Sequence, residues 1–262
     1  MAAEALYVEA TGEGPPVVLA HGFAGSARNW RPQVRALRGR YRVVTYDARG
    51  HARSPAPDDP SAYTREALVG DLAAVVAAAG APAVVGGLSM GAAVALALAL
   101  QQPAGVRALV LASVPPGAAS GRGIAGQAVR FAEALEREGV EAAGARFAWG
   151  PDTRLDAAGA ARVRQGFLEH PAHGLSHTLR GVLASWPTPE ELAPALGRLQ
   201  LPALVLAGGE DAGRDVSRAV ARALPRAVWR EIPGAGHVVN LAAPEAFNEA
   251  LLEFLERFDE RS

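Results

Sequence analysis

The pentapeptide Gly87-Leu88-Ser89-Met90-Gly91 is the strongest local signal in this chain. The apolar run Ala83 to Gly86 precedes it and the helical run Ala92 to Leu100 follows it, so the serine lies between a strand and a helix. A G-x-S-x-G sequence in that context forms a tight, strained turn that exposes the serine hydroxyl above the carboxyl ends of the strands. Ser89 is therefore the candidate nucleophile, although a plain glycine-rich turn between a strand and a helix would carry the same letters.

Short runs rich in Val, Leu and Ala recur along the chain, and each is followed by a Gly or Pro signal and a helical pattern. Most of these runs are apolar on both faces, as expected of strands that helices cover on both sides. The rhythm predicts an α/β fold with an open, doubly wound, mostly parallel sheet. The predicted strands are Pro16 to Ala20, Arg42 to Tyr46, Ala83 to Gly86, Ala108 to Ala112, Ala203 to Ala207 and Val228 to Ile232.

The strand pattern stops between about residues 115 and 199, where helical stretches rich in Ala, Gly and Arg alternate with Pro-containing breaks. We therefore expect a helical cap insertion over residues 115–199, and one core built from residues 1–114 and 200–262. A segment in that place can act as a lid that shapes a pocket, although a plain packing subdomain would have the same pattern. The candidate substrate contacts in the insertion are Phe147, Trp149 and Trp186.

The composition excludes several classes of function. The 262 residues carry a formal net charge of −1, so the chain has no bulk attraction for nucleic acid. Lysine is absent, which excludes a Schiff-base lysine and a Walker-type phosphate loop. Cysteine is absent too, which excludes disulfides, thiolate metal sites and a cysteine nucleophile. No segment approaches the ~20 apolar residues that cross a bilayer, and the start of the chain lacks the pattern of a secretory signal, so a cytoplasmic protein without membrane contact is expected.

A serine hydroxyl is a weak nucleophile at neutral pH unless a base removes its proton, so one of the six histidines must serve as that base. His237 is preferred because it follows the last predicted strand and so reaches the same carboxyl edge of the sheet as Ser89. An acid must then fix the tautomer of this histidine and stabilise its imidazolium form. Asp211, which follows the fifth predicted strand, is the first choice, with Glu210 and Asp215 as reserves.

The tetrahedral intermediate of acyl transfer needs backbone donors for its oxyanion. One donor is expected to be the amide of Met90, which follows the nucleophile at the start of a helix. The other is expected from the turn His21-Gly22-Phe23 after the first core strand, with the Phe23 amide as the best candidate. His21 is expected to support this loop through hydrogen bonds rather than to act as the base.

Several segments together resemble the successive motifs of the α/β-hydrolase superfamily, and they span almost the whole chain outside the insertion. They are His21 to Ser26 with Trp30, Asp47 to Ser54, Gly87 to Gly91, Gly208 to Asp211, and Gly236-His237. The chain order serine, acid, histidine is also that of the superfamily. The resemblance implies the α/β-hydrolase fold and a Ser-His-Asp triad that works without a cofactor. Ala52 departs from the family pattern, which usually has glycine at that place in the D-x-R-G-x-G-x-S loop, and this concerns the local backbone rather than the catalysis.

The end of the chain, from Gly236 to Phe247, is similar to that of enol-lactone hydrolases and carboxylesterases, and the same ending occurs in carbon-carbon bond hydrolases. We therefore expect hydrolysis of a small, largely apolar ester or lactone through an acyl-enzyme intermediate. Two alternatives stay open, namely a carbon-carbon bond hydrolase or lyase on the same triad and a non-catalytic ligand-binding receptor. The sequence determines neither the physiological substrate nor whether the chain forms a homo-oligomer.

Three histidines of the insertion have the spacing of a metal site. His170, His173 and His177 would share one face of a helix. Pro171 and Gly174 interrupt that helix, however, and no set of carboxylates accompanies the histidines. We therefore expect neither a bound metal nor another cofactor.

Overall fold

A computed structural model describes residues 5–118, 124–149 and 157–259, with only the backbone described for residues 124, 157–160, 162, 258 and 259. Parts of the predicted core (residues 1–4 and 260–262) and of the predicted insertion (119–123 and 150–156) lie outside the described residues. The division of the chain into a core and a cap stays a prediction.

One sheet of seven strands organises the described part of the chain. The strands are β1 (Val8–Thr11), β2 (Pro16–Ala20), β3 (Arg42–Tyr46), β4 (Ala83–Leu88), β5 (Val106–Ala112), β6 (Ala203–Gly208) and β7 (Ala227–Ile232). Their order across the sheet is β1-β3-β2-β4-β5-β6-β7. β1 is antiparallel to β3, and every other neighbouring pair is parallel. All six predicted strands are confirmed with ends shifted by at most two residues, whereas β1 was not predicted.

Ten α-helices connect and flank these strands within the described residues. They are α1 (Arg31–Leu37), α2 (Arg65–Gly80), α3 (Met90–Gln101), α4 (Ile124–Phe147), α5 (Ala157–Phe167), α6 (Ala172–Gly181), α7 (Pro189–Leu196), α8 (Arg214–Ala223), α9 (Val239–Ala242) and α10 (Pro244–Asp259). α4 has a break at Gly139, where φ is 81°. In the described part of the chain, none of the helices combines the length and the apolar character needed to cross a lipid bilayer.

The core consists of two apolar layers, one on each face of the sheet. Because successive side chains of a strand point to opposite faces, each strand contributes to both layers. In β2, Val18 belongs to the layer that includes Leu72 of α2 and Leu96 of α3. Leu19 belongs to the other layer, which includes Phe247 and other residues of α10. The fold is therefore the predicted doubly wound, mostly parallel α/β arrangement.

The helices α4 to α7 lie between β5 and β6, where the insertion was predicted. α4, α5 and α6 enclose a separate small apolar cluster that includes Leu135, Phe167 and Leu179. The end of the segment packs differently, because Trp186, just before α7, and Leu196, in α7, belong to the core layer on the sheet. The segment thus has one part with its own core and one part that joins the core of the sheet.

Candidate active site

Ser89 lies at the turn between β4 and α3, as predicted. Its φ of 50° and ψ of −113° lie outside the regions that residues with a side chain prefer, so the turn is strained. Both flanking glycines are required by space. A Cβ atom on Gly87 would lie 2.2 Å from the carbonyl carbon of Gly91, and one on Gly91 would lie 2.2 Å from the carbonyl oxygen of Ala20. The glycines therefore allow α3 to start directly against β2 and β4.

Asp211 and His237 meet beyond the carboxyl ends of β6 and β7. The Nδ1 atom of His237 lies 3.1 Å from both carboxylate oxygens of Asp211. The carboxylate is buried, whereas 48% of the His237 side chain is exposed. When Nδ1–H donates to the carboxylate, Nε2 of the neutral imidazole is left to accept a proton. The pair therefore has the arrangement of an oriented general base.

The surroundings of Asp211 favour its ionised form. Its Oδ1 atom also accepts a hydrogen bond from the Gly213 amide at 2.9 Å. Burial raises the pKa of Asp211, but the hydrogen bond and charge of His237 outweigh burial, with smaller contributions from the Gly213 amide and the Ser113 hydroxyl. The pKa therefore lies below its ordinary value, and Asp211 is an anion at neutral pH.

The two alternative acids, Asp215 and Glu210, lie in surroundings that differ from those of Asp211. Asp215 lies in the first turn of α8, where its exposed carboxylate faces Arg214 and Arg218 at 3.8 Å. Glu210 is exposed, and its amide donates to the Ala235 carbonyl at 3.0 Å. Of the three acids considered from the sequence, Asp211 is the one that the structure pairs with His237.

The acid loop and the histidine loop are fastened to each other. Besides the Glu210 bond, the Gly209 amide donates to the Ile232 carbonyl at 2.8 Å. A Cβ atom on Gly208 would lie 2.1 Å from the Ala235 oxygen, so only glycine allows the two backbones to approach this closely. These contacts fix the position of Asp211 relative to His237.

The Phe23 turn lies beside the nucleophile. The Gly25 amide donates to the Gly22 carbonyl at 3.0 Å and closes a turn around Phe23. A Cβ atom on Gly22 would lie 3.6 Å from Cβ of Ser89. Among the described residues, neither the Phe23 amide nor the Met90 amide donates to another group. The Phe23 turn therefore passes beside Ser89 and Met90 directly follows it, and the role of the two amides as oxyanion donors stays a prediction.

His21 supports this turn, as predicted. Its Nδ1 atom donates to the Gly22 carbonyl at 2.7 Å, and its Nε2 atom accepts from the Ala48 amide at 2.9 Å. Burial lowers the pKa of His21 to about 4, so the ring is neutral at physiological pH. Both ring nitrogens are engaged with the backbone, so neither is left to accept the proton of Ser89.

The predicted substrate contacts of the insertion lie in two different places. Phe147 stacks on Phe131 with ring centroids 4.7 Å apart, and the edge-to-face pair of Trp149 with Phe167 has centroids 5.4 Å apart. Phe131 and Phe167 in turn pack edge-on against Phe23. Trp186 is only 5% exposed and packs in the core layer on the sheet. Substrate contact stays a prediction for all three residues.

The three histidines considered for a metal face different groups. His170 and His173 each lie within hydrogen-bond distance of a carbonyl oxygen of the core, and the His177 ring packs against the Tyr63 ring. Within the described residues, no group of three or more His, Asp or Glu side chains is arranged to hold a metal ion. The prediction that Gly174 interrupts the helix is wrong, because α6 runs through it from Ala172.

A buried amide network that follows His237 along the chain was not predicted. Asn240 of α9 donates through Nδ2 to the Asn29 carbonyl at 2.9 Å. Gln33 donates through Nε2 to the Asn240 carbonyl at 3.1 Å and to Oδ1 of Asn248 at 2.9 Å. The network thus joins the chain just after His237 to the chain just after the Phe23 turn. The available signal in the sequence was Asn248, a polar residue directly after Phe247 in the apolar stripe of α10.

Comparison with known proteins identifies the family of the chain. The model of the alpha/beta hydrolase family matches residues 17–250. RutD of Variovorax paradoxus, whose name refers to carbamate hydrolysis, is 30% identical over 95% of each chain. A thermophilic esterase from Thermogutta terrifontis superposes with a TM-score of 0.85 at 31% identity, covering 97% of this chain and 93% of the other. The enol-lactonase of Burkholderia xenovorans LB400 gives a TM-score of 0.82 at 27% identity over 96% of each chain. The chain therefore belongs to the alpha/beta hydrolase family.

Proposed function

We propose that this protein hydrolyses a small, largely apolar ester or lactone through an acyl-enzyme intermediate. The observation that carries the proposal is the Asp211–His237 pair, with Nδ1 at 3.1 Å from the carboxylate, at the sheet edge where Ser89 occupies its strained turn. The similarity to an esterase and to an enol-lactonase supports the class of bond. Similarity to hydrolases in general would not indicate which kind of bond is cleaved.

In the proposed first half-reaction, the Ser89 oxygen attacks the carbonyl carbon while Nε2 of His237 takes the serine proton. Asp211 stabilises the imidazolium that forms. The amides of Phe23 and Met90 bind the oxyanion of the tetrahedral intermediate. The intermediate collapses, the C–O bond of the ester breaks, and His237 gives the proton to the departing alkoxide, which leaves as the alcohol.

In the second half-reaction, His237 takes a proton from water, and the resulting hydroxide attacks the acyl carbon. The second tetrahedral intermediate uses the same two amides. It breaks the bond to Ser89, the serine oxygen recovers the proton from His237, and the carboxylic acid leaves. A lactone follows the same steps, except that the alcohol and the acid stay in one molecule.

Phe147 and Trp149 are proposed to contact the apolar acyl part of the substrate. They belong to the aromatic cluster that packs against Phe23, the residue whose amide binds the oxyanion in this scheme. Apolar groups held beside a small number of polar donors are typical of small-molecule sites. Trp186 has little surface left for such a contact.

The first prediction concerns the nucleophile. The Ser89→Ala variant should hydrolyse p-nitrophenyl acetate and butyrate with kcat lowered by ~10⁴ to 10⁶, because it lacks the group that forms the covalent intermediate. An organophosphate probe should add its mass to the wild-type protein and not to this variant. The Ser61→Ala variant, which removes an exposed hydroxyl paired with Asp59, is the control and should keep wild-type kcat. Near wild-type turnover in the Ser89→Ala variant would refute the assignment.

A carbamate is the second candidate substrate, because RutD is similar over almost the whole chain. A panel of an ester, a lactone, a carbamate and a vinylogous diketone of similar size and apolar character separates the classes by kcat/KM. We expect the ester or lactone to give the highest value. A higher value for the diketone would favour carbon-carbon bond cleavage, and tight binding by calorimetry without product from any member would favour a receptor.

A further inference from the structure

We propose that His170, in the insertion, is a positioning residue for the Phe23 amide, and that residues 167–181 form a fixed support for this amide rather than a lid. The inference rests on the proposed function, in which the Phe23 amide binds the oxyanion. It adds a residue that lies outside the triad and outside the two donors.

The carbonyl of Gly25 accepts a hydrogen bond from the insertion. The Nε2 atom of His170 lies 2.9 Å from this oxygen, and its Nδ1 atom lies 3.2 Å from the Phe167 oxygen. The shorter contact requires the N–H at Nε2, because a carbonyl oxygen can only accept. His170 is 4% exposed, so water has little access to replace this bond. The insertion thus holds one end of the turn that carries Phe23.

The other end of the turn is held from the core. His21 donates to the Gly22 carbonyl at 2.7 Å, so each of the two carbonyls that bound the turn accepts a hydrogen bond from a histidine. Between them, Ala24 has φ of 52°, in the left-handed region that is unfavourable for alanine. A strained residue keeps such a conformation only where its surroundings hold it. Loss of one histidine therefore allows the strained backbone at Ala24 to relax and the Phe23 amide to move.

The side chain of Phe23 is also held from both sides. Its ring packs edge-on against the His51 ring of the core, with centroids 5.8 Å apart. It also packs edge-on against Phe131 and Phe167 of the insertion, at 5.9 and 6.5 Å. The fully buried His51 ring lies 5.4 Å from the His170 ring, so the same group of side chains links the histidine to Phe23.

The segment that carries His170 is itself fastened to the core. Glu169 receives both hydrogen bonds of Arg28 Nη1, at 2.5 and 2.6 Å. In α6, a Cβ atom on Gly174 would lie 2.6 Å from the Gly50 oxygen, and one on Gly181 would lie 1.9 Å from the Tyr63 oxygen. Helix and core therefore touch through their backbones. A helix seated in this way cannot move as a lid without losing these contacts.

The expected kinetic effect follows from where the Phe23 amide acts. An oxyanion donor stabilises the transition state more than the bound substrate, so its displacement lowers kcat and leaves KM nearly unchanged. The His170→Ala variant should lose about 10²-fold in kcat for p-nitrophenyl butyrate, the scale of a small misplacement in an active site. The His170→Gln variant keeps an N–H near the position of Nε2 and should recover most of this loss.

His173→Ala is the matched control. His173 lies in α6, three residues after His170, and also contacts a core carbonyl, that of Ala56 at 3.0 Å, but it does not touch the Phe23 turn. This variant should keep wild-type kcat. Equal losses of kcat in the two alanine variants, or a His170→Gln variant as slow as His170→Ala, would overturn the positioning role.

A second readout does not depend on catalysis. Hydrogen exchange of the peptide that contains residues 21–26, followed by mass spectrometry, should be faster in His170→Ala than in the wild type and unchanged in His173→Ala. Unchanged exchange in His170→Ala would overturn the inference even if the wild type is an esterase. Faster exchange together with no ester or lactone turnover by the wild type would support the fixed turn and contradict the proposed function, so the two failures are distinguishable.

Discussion

At the scale of single residues, Ala52 occupies a backbone position that suits glycine better. Its φ is 43°, in the left-handed region, where a Cβ atom costs ~1–2 kcal/mol. Ala52 therefore holds a backbone conformation that glycine reaches without this strain. The neighbouring contacts keep it, because the Arg53 amide and the Ser54 hydroxyl on the next two residues both bind Asp47.

The second prediction follows from this strain. The Ala52→Gly variant should raise the free energy of unfolding by about 0.5–1 kcal/mol, since relief of the left-handed strain exceeds the entropy cost of glycine. Urea unfolding measures the change. As a control, Ala78→Gly on the exposed face of α2 should lower stability by about 1 kcal/mol, because that backbone is helical. A decrease in the Ala52→Gly variant would contradict the strain.

The candidate site residues that the sequence indicated are those that a motif or the end of a strand identifies. Ser89 lies in a motif with a defined turn, and His237 follows a strand that was placed correctly. The acid could not be chosen in this way, because Glu210, Asp211 and Asp215 all follow β6 closely enough to reach the sheet edge. Only the folded loop decides which carboxylate faces the ring. His170 was considered only as a metal ligand, because nothing in its local sequence indicates a contact with residue 25.

At the scale of elements, the strands that were predicted are those buried on both faces. β1 was not predicted, because its residues alternate between exposed and half-buried. It pairs with one neighbour, β3, at the edge of the sheet. The sequence interpretation of Gly174 was wrong for a different reason. A glycine in a helical pattern suggests a break, but here it stays helical because its missing side chain makes room for Gly50.

The third prediction tests the seating of α6 on the core. The Gly181→Ala variant places a Cβ atom against the Tyr63 carbonyl, where the backbone must shift, and should lower the free energy of unfolding by about 1–3 kcal/mol. The matched control is Gly166→Ala in α5, where a Cβ atom has nothing within 4 Å. The control should gain about 0.4–1 kcal/mol, because alanine restricts the unfolded chain. Equal effects of the two substitutions in urea unfolding would refute the close contact.

At the scale of the whole molecule, Asp47 joins distant parts of the chain. Its buried carboxylate accepts from the Ala27 amide at 2.7 Å and from Nε of Arg53 at 2.7 Å, and Arg53 also binds Glu9 next to the sheet edge. Burial raises the pKa of Asp47, but the Arg53 side chain and the amides of Ala27 and Arg53 outweigh it, so the pKa is lowered.

The fourth prediction concerns pH. Because the folded pKa of Asp47 lies below the unfolded value of about 3.9, its stabilisation is present above that pH and is lost as the pH falls through the folded pKa. The Asp47→Asn variant should be less stable than the wild type by about 3 kcal/mol at pH 7, since it leaves Arg53 without its buried partner. Urea unfolding between pH 7 and pH 3 should show this gap closing at acid pH.

Asp215→Asn is the control for that series. Its exposed carboxylate lies 3.8 Å from two arginines, and a pair of that kind contributes little to stability. The control should therefore unfold like the wild type across the range. A gap for Asp47→Asn that stays constant down to pH 3 would show that its effect is not tied to ionisation.

The backbone seating of α6 also bears on how such an enzyme can diversify. Where two main chains touch with no side chain between them, a larger residue cannot be accommodated, so Gly174 and Gly181 of α6 are closed to substitution. α4 has its own bend at Gly139 and contributes aromatic side chains rather than main chain to the region around Phe23. Under the proposed function, directed evolution toward new acyl groups therefore has its natural target in α4 positions such as Phe147, whose ring stacks on Phe131 rather than on Phe23.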